Sequence, residues 1–410
     1  MKKTGARAIF TIILFILLAS IRAEAKVIAT SGAGRLEEVD GVRVAYLSGT
    51  HYEMGLQHGV LLKDDIKALM SFFFENKKTI FGASFDDLDK GAKTLLKNIP
   101  AEYVEEMKGI AEGSGVDFKQ ILYANTFLDV VSASWSGVKP SCTNFAALPR
   151  ASLRGEIVHG RNLDWTADEA VTKSNVVFHY EPKGGFSFTT MGWTGIAGTL
   201  TGFNYEQISV GEMTSMSTEA QLDGTPIMIQ LRALLERSKT LDDAYKVLAE
   251  MPRTTGYNVL VTDGKAGDAF VVEMSAKSIV KFKPENDMIF RTNHYVDKKL
   301  SKTQMKYFYM YYSGKQSDSF LRYDRLNELL TSNKGKIDAK LAMSFLGDKW
   351  DGATKDFNDT LKNSICASNT LQSAVILPDS GEIYVALGKA PAPDRGFVRL
   401  KFPVTENKKK

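Results

Sequence analysis

Cysteine is scarce: the 410-residue sequence contains two, Cys142 and Cys366. Exported proteins that lack an adequate core are held by several disulfides, so this is not a disulfide framework, and at most one bridge can form. An excess of either charge is missing too. Lys and Arg total 52 against 48 Asp and Glu, a formal net charge of +4, which gives no electrostatic basis for gripping nucleic acid or an anionic lipid surface. No apolar run reaches the roughly 20 residues of a membrane-spanning helix. Neither G-x-x-x-x-G-K-[ST] nor a strand followed by G-x-G-x-x-G and a helix occurs, so no nucleotide cofactor is implied. Internal repeats and low-complexity tracts are absent. What remains is ordinary globular composition, 44% hydrophobic and 24% charged, in a chain long enough to bury a large core. Function has to come from a site.

The N-terminus supplies the first positive feature. Lys2, Lys3 and Arg7 precede an apolar run over 8–20, and Ala23-Glu24-Ala25 follows. These are the charged, apolar and small-x-small parts of a secretory signal. Cleavage after Ala25 is expected, leaving a periplasmic or secreted chain that begins at Lys26 and has no stable membrane insertion; the apolar run is too short to favour an uncleaved anchor.

Two textures follow, with the changeover between about 132 and 141. The first is helical. In Thr50-His51-Tyr52-Glu53 the Thr hydroxyl can cap a helix start while Glu53 reaches back to the free N–H, and apolar periodicity continues to about residue 76. Gly55 and Gly59 sit one turn apart on this stretch; since glycine costs about 1 kcal/mol against alanine in a helix, the pair predicts close backbone packing. Further helices are expected over 86–97, 101–112 and 117–130, the last capped by Asp117.

After Cys142 the pattern changes to short alternating runs bounded by turn residues. Runs 175–181 and 186–193 flank Pro182-Lys183-Gly184-Gly185. Runs 258–262 and 269–274 flank a turn over 263–268, and 374–377 and 383–387 flank Pro378-Asp379-Ser380-Gly381. Helices are expected at 225–237, with Thr225 as cap and Pro226 in the first turn, at 240–250 and near 318–331. Hairpins with segregated helices indicate α+β layers. The stretch 132–141 is small, polar and breaker-rich, and it ends directly against Cys142, where a chain is open to proteolysis.

Cys142-Thr143-Asn144-Phe145 is followed, at the end of the next strand, by Gly160-Arg161-Asn162-Leu163-Asp164-Trp165. A thiolate needs a positive neighbour or a base near neutral pH, and Arg161 can supply the charge. A cut before Cys142 would create an α-amine with an ordinary pKa of about 8 beside the thiol, and Asp164 can hold that amine by a charge-assisted hydrogen bond. One residue would then be nucleophile and base together.

These residues resemble the N-terminal-nucleophile hydrolases, in particular the branch with isopenicillin-N acyltransferase and its relatives penicillin V acylase and bile salt hydrolase. The first shared element is Gly49-Thr50-His51-Tyr52-Glu53-Met54-Gly55-Leu56-Gln57-His58-Gly59, similar to the Gly-x-x-x-Glu-x-Gly-x-x-x-Gly opening of that branch, also found in phospholipase B-like proteins. The second is Cys142-Thr143 followed by Gly160–Trp165. The resemblance implies a four-layer αββα sandwich with an N-terminal helical segment, and self-cleavage between Ser141 and Cys142. A helical chain 26–141 and a catalytic chain 142–410 would stay associated as one composite domain. It further implies that Arg161 and Asp164 tune the Cys142 nucleophile and that Asn204, in Thr201-Gly202-Phe203-Asn204-Tyr205, helps form an oxyanion hole. Asn293, in Thr292-Asn293-His294-Tyr295, and Arg322, in Asp318-Ser319-Phe320-Leu321-Arg322-Tyr323, match later elements of such a site. Ser141 stands where the acyltransferase branch commonly has glycine.

The implied activity is hydrolysis or transfer of an acyl group from a small N-acyl amide through a thioester. The substrate is an acyl amide or a lipid, with no cofactor and no metal; a homo-oligomer stays open. A phospholipase B-like lipid hydrolase and a catalytically inactive secreted binding protein are the alternatives. A Cys142–Cys366 bridge would abolish the nucleophile. His51, Glu53 and His58 lack the His-Glu-x-x-His spacing of a metal site, and His294 could pair with Cys142 only in the manner of a papain-like protease, whose surroundings are missing. Phe72-Phe73-Phe74 and the aromatic run 307–312 read first as core and second as acyl-pocket lining.

Overall fold

The computed structural model describes residues 25–75, 84–133, 141–305, 318–357 and 361–406. The expected signal segment, all but the ends of the expected linker, and the aromatic run 307–312 lie outside the described residues.

Two large sheets carry the fold. The first has ten strands in the order β1 (Lys26–Ser31), β2 (Gly34–Val39), β3 (Val42–Gly49), β6 (Asn175–Pro182), β7 (Phe188–Trp193), β8 (Thr201–Asn204), β9 (Ile208–Thr214), β10 (Tyr257–Asp263), β11 (Asp268–Met274) and β12 (Ile279–Phe282). The second has six: β13 (Met288–Arg291), β4 (Ser141–Ala147), β5 (Val158–Asp164), β16 (Thr370–Leu377), β17 (Glu382–Leu387) and β18 (Val398–Lys401). A separate two-stranded ladder pairs β14 (Trp350–Asp351) with β15 (Asp356–Phe357). Within the two sheets every neighbouring pair is antiparallel except β3 with β6, because the helices between β3 and β4 form the crossover a parallel pair requires.

The sheets face one another. Val42, Val44, Val177, Met191 and Phe203 of the first pack against Ala374, Ile376, Ile383, Val385 and Leu400 of the second. Helices cover the outer faces. His51–Leu61 lies on β2 and β3, and Ile227–Arg237 on β8 and β9; Asp318–Ser332 lies on β4 and β13, and Ala339–Leu346 on β5 and β16. The result is a mixed fold of several sheets and helices, consistent with an N-terminal-nucleophile-type sandwich.

The N-terminal portion departs from the helical expectation: residues 26–49 are the strands β1–β3, and helices begin only at His51. The turn between β2 and β3 is Asp40-Gly41 with φ of 48° and 80°, the backbone a tight hairpin demands and Asp-Gly favours. From Thr50 onward the expectation matches. Thr50 and Glu53 form a reciprocal capping box. The apolar stretch to residue 76 is two helices, His51–Leu61 and Lys63–Glu75. Gly55 and Gly59 face Gly109 and Gly113 of Ala101–Ser114, and a Cβ on any of the four would overlap backbone of the opposite helix, so the close approach is real. One cap differs. The helix at 227 begins after Pro226, Thr225 Oγ1 donates to Asn98 O (2.9 Å) instead of capping, and the buried Asp129 carboxylate accepts from Ile227 N (3.2 and 3.3 Å). A carboxylate at a helix N-terminus is favoured by the free N–H groups and the macrodipole.

Candidate active site

Strand register decides what can meet at Cys142. Cys142 lies opposite Leu163, Asn144 opposite Arg161 and Ser141 opposite Asp164. Directly opposed residues share a sheet face, so Cys142, Asn144, His159 and Arg161 point between the sheets while Ser141, Thr143, Asn162 and Asp164 point toward the outer helices. The hydrogen bonds agree. Arg161 donates to Glu212 O on β9 (Nη2, 2.9 Å; Nε, 3.3 Å), and His159 meets Ser209 Oγ (2.7 Å) on the same strand. On the other face Asn162 Nδ2 donates to Leu346 O and Ile365 O (2.8 and 2.9 Å).

Cys142 is therefore held from both sides. Between the sheets, Arg161 Nη2 lies 3.9 Å from Cys142 Sγ and 3.8 Å from Glu212 Oε2. From the helix layer, Asn293 Oδ1 accepts from the Cys142 backbone N (2.6 Å) and from Arg322 Nη2 (3.0 Å). Arg322 Nη1 donates to Cys142 O (2.5 Å) and Thr143 Oγ1 (3.0 Å), and Nε to Asp318 Oδ2 (2.9 Å). Asn293 Nδ2 donates to Thr214 O (2.9 Å), and its backbone N to Ser319 Oγ (2.9 Å). One amide side chain thus ties both sheets and the N-terminal turn of Asp318–Ser332 to the backbone of the cysteine.

Burial sets the protonation states. The Cys142 thiol is pushed up to about 12, burial outweighing the opposing pull of Arg161, so it is neutral in the intact chain. Asp164 is raised to about 6 by burial, against the pull of Arg322 and a hydrogen bond from Thr370 Oγ1 (2.6 Å). Its other oxygen, Oδ2, is buried without a hydrogen-bond partner. Glu212 is raised to about 7 by burial, opposed first by Arg161. Carboxyl groups held near neutrality beside a thiol can give and take protons at working pH.

A small cavity of about 30 Å³ opens at the thiol, lined by Phe127, Leu163, Asp164, Trp165, Trp193 and Glu212 among others. Phe127 stacks on Trp165 (5.1 Å, 24°), Trp193 meets Trp165 edge-on (6.1 Å, 77°), and Phe73 packs on both Phe127 and Trp165. Phe73 is core beneath the lining aromatics and does not itself line the cavity.

The structure brings Ser141, Cys142, Arg161, Asp164, Asn293 and Arg322 together. Asn204 is elsewhere. Its Nδ2 donates to Leu235 O (2.8 Å) and Ser238 O (2.7 Å), and its Oδ1 accepts from Ile208 N (2.9 Å). Both amide hydrogens are spent closing the end of Ile227–Arg237, so the expected oxyanion role has no free donor to perform it. His294 is also committed: Nδ1 meets Ser319 Oγ (2.8 Å), the ring stacks on Phe320, and burial lowers its pKa to about 3. A cysteine–histidine pair of the thiol-protease kind does not form. Both cysteines are free and buried, and Glu53 is occupied in its capping box. Sequence reasoning missed Glu212, although a glutamate inside the apolar strand Ile208–Thr214 is a signal, because a buried acid needs a partner. It also missed Asp318, which orients Arg322.

Among the described residues no helix is long and apolar enough to cross a membrane. Comparisons with known proteins agree with the geometry. The chain is 24% identical over 288 residues to protein dcd1B of Dictyostelium discoideum, covering 63% of this chain and 56% of that protein. It is 23% identical over 354 residues to the 40 kDa form of acyl-coenzyme A:6-aminopenicillanic-acid acyltransferase of Emericella nidulans, covering 85% and 94%. The matches to dcd1B, to an Archaeoglobus fulgidus protein and to dcd1A span 56%, 57% and 54% of those relatives' lengths. The solved N-acylethanolamine-hydrolyzing acid amidase ortholog of Caenorhabditis elegans superposes with a TM-score of 0.41 at 18% identity over 64% of this chain and 100% of that one, a likeness too low to carry an argument. The profile of the acyl-coenzyme A:6-aminopenicillanic acid acyl-transferase family matches residues 153–391, more than half of the chain, and the chain belongs to that family, within the N-terminal-nucleophile hydrolase superfamily.

Proposed function

We propose that this protein is a self-processing cysteine hydrolase that cleaves small N-acyl amides through an acyl-thioester. The observation that carries the reading is the convergence of Asn293 and Arg322 on the backbone N and O of the same residue whose Sγ faces Arg161. A structural cysteine needs its backbone in a ladder; it does not need a buried amide and two arginines.

In the self-cleavage step, Cys142 Sγ attacks the Ser141 carbonyl carbon, the C–N bond breaks, and the Cys142 nitrogen takes the thiol proton. Water then hydrolyses the resulting thioester, giving a Ser141 carboxylate and a free thiol. The products are chains 26–141 and 142–410, associated as one composite domain within a four-layer αββα sandwich. The two facing sheets with helices on their outer faces support that architecture. In turnover the new α-amine, held by Asn293 Oδ1 and by the unpartnered oxygen of Asp164, accepts the thiol proton. The thiolate, stabilised by Arg161, attacks the substrate carbonyl, and the amine leaves with the proton from the α-ammonium. Water releases the acid. Export through the signal over 1–25, to the periplasm or outside, belongs to the same reading.

The test is amine release from a panel of N-acyl amides, with the acyl group trapped on Cys142 and located by mass. An N-acyl amide cleaved through a Cys142 thioester supports the reading. Lysophospholipid cleaved in preference to amides would move it to a lipid ester hydrolase, and turnover of neither would favour a binding protein.

A further inference from the structure

Asn293 reaches Cys142 from a segment without regular structure. β13 ends at Arg291, and residues 292–299 belong to neither a strand nor a helix. The polar backbone groups of this segment are answered by side chains instead. Asn258 Nδ2 donates to Thr292 O (3.0 Å) and His294 O (2.9 Å), the two carbonyls that flank Asn293. Glu273 takes the far end. Its Oε1 and Oε2 accept from Val296 N (3.0 and 2.9 Å), Oε2 also accepts from Asp297 N (2.8 Å), and Oε1 pairs with Arg291 Nε (2.7 Å), just before the segment. Asn258 and Glu273 are directly opposed on β10 and β11, so they share a face of the first sheet, and both are fully buried. Their strands are already paired through the backbone, and an apolar pair in these positions would complete a plain core without the desolvation cost of an amide and a carboxylate.

We propose that Asn258, supported by Glu273, is a positioning residue for the nucleophile: it fixes the backbone on both sides of Asn293 so that Asn293 Oδ1 stands 2.6 Å from Cys142 N. Peptide units are planar, so an amide that holds the carbonyls before and after Asn293 sets the orientation of the residue between them. Among the described residues Asn258 Oδ1 has no hydrogen-bond partner, and the amide serves through its two N–H bonds. Glu273 closes the segment by gripping residues on either side of it, which leaves Asn293 little freedom to swing. Precision of this kind matters because a displacement of about 1 Å at a reacting group can cost about a hundredfold in rate. Asn258 acts through Asn293 and not on the reacting atoms. The inference rests on the hydrolase reading above and adds to it a support from the first sheet.

The test is a double-mutant cycle on amide turnover per folded molecule, with Asn258→Ala, Asn293→Ala and the pair. Asn258→Ala should lower kcat by about tenfold or more with KM unchanged, and in the Asn293→Ala background the same substitution should change kcat by less than about twofold, because the residue it acts through is gone. Asn204→Ala, which also frees two buried carbonyls, is the control and should leave kcat in place. Equal factors in both backgrounds, or no loss of kcat in Asn258→Ala, overturn the inference. Where Asn258→Ala does not fold, Glu273→Gln takes its place in the cycle with the same two outcomes. A second measurement does not depend on turnover. With two cysteines in the chain, labelling with isotopic cysteine gives two spin systems, Cys142 and Cys366. Asn258→Ala should move the Cys142 resonances toward their positions in Asn293→Ala and leave those of Cys366 in place; an unmoved Cys142 overturns the inference. A wild type that cleaves no amide but shows this selective shift would overturn the hydrolase reading and keep the Asn258 assignment.

Discussion

Two buried arginine clusters in this molecule are built differently. Under the N-terminal helices, Arg232 lies close to both Tyr180 (4.0 Å) and Phe188 (4.5 Å), bonds both oxygens of Glu106 (2.9 and 3.1 Å) and Ala197 O (2.7 Å), and pairs with Glu236. Glu236 is bonded in turn by His51 (3.1 Å) and Tyr103 (3.3 Å). Every member is answered. Around Cys142, two arginines converge on one residue, yet Asp164 Oδ2 and Trp193 Nε1 are left bare, and the Arg161 guanidinium stands 3.9 Å from the thiol. A closed network rigidifies a fold. One with open valences is what a reacting group or a substrate completes.

The comparison breaks most visibly at Arg232. Replacing it with alanine strands Glu106 and Glu236 in the core and should cost about 3–5 kcal/mol, seen as loss of soluble protein or a large drop in Tm. The chemistry would fail only through unfolding. Asn293→Ala should do the reverse: Tm falls modestly, while amide turnover by the folded fraction drops about a hundredfold or more, measured against thermal melts of the same samples. Asn204→Ala separates the two classes at one residue type. Loss of its three hydrogen bonds should cost about 1–3 kcal/mol with kcat per folded molecule unchanged, and a large fall in kcat would restore the oxyanion role.

The last effect is in pH. The folded pKa of Glu212, about 7, lies above its unfolded value near 4.5, so the native state binds more protons between them and this group's contribution falls as pH rises across that window. Melts from pH 4.5 to 7.5 should therefore show a shallower decline of Tm with rising pH in Glu212→Gln than in the wild type. Equal slopes would mean that Glu212 is not held near neutrality.

Legibility followed the same divide. The capping box at Thr50 and Glu53, the glycine contact, the three hairpins and the cluster at Cys142 all rest on local chemistry. The strands over 26–49 were legible too, in Asp40-Gly41, but a helical reading of the whole segment before Cys142 overrode that turn. Asn204 and Thr225 have partners that the sequence does not show, Leu235 and Ser238 for one and Asn98 for the other, with Asp129 at the helix start instead, because those partners come from distant sequence. Glu212 and Asp318 matter through Arg161 and Arg322, pairings that exist only once the two sheets and the outer helices are assembled.

The measurement that bears most directly on the central claim is intact mass and N-terminal sequencing of the purified exported protein beside Cys142→Ala. The account predicts two associated wild-type fragments, the larger beginning Cys142-Thr143-Asn144, and an uncleaved but folded mutant. A single intact wild-type chain with full amide turnover, or a Cys142→Ala chain that still splits at Ser141, would contradict it.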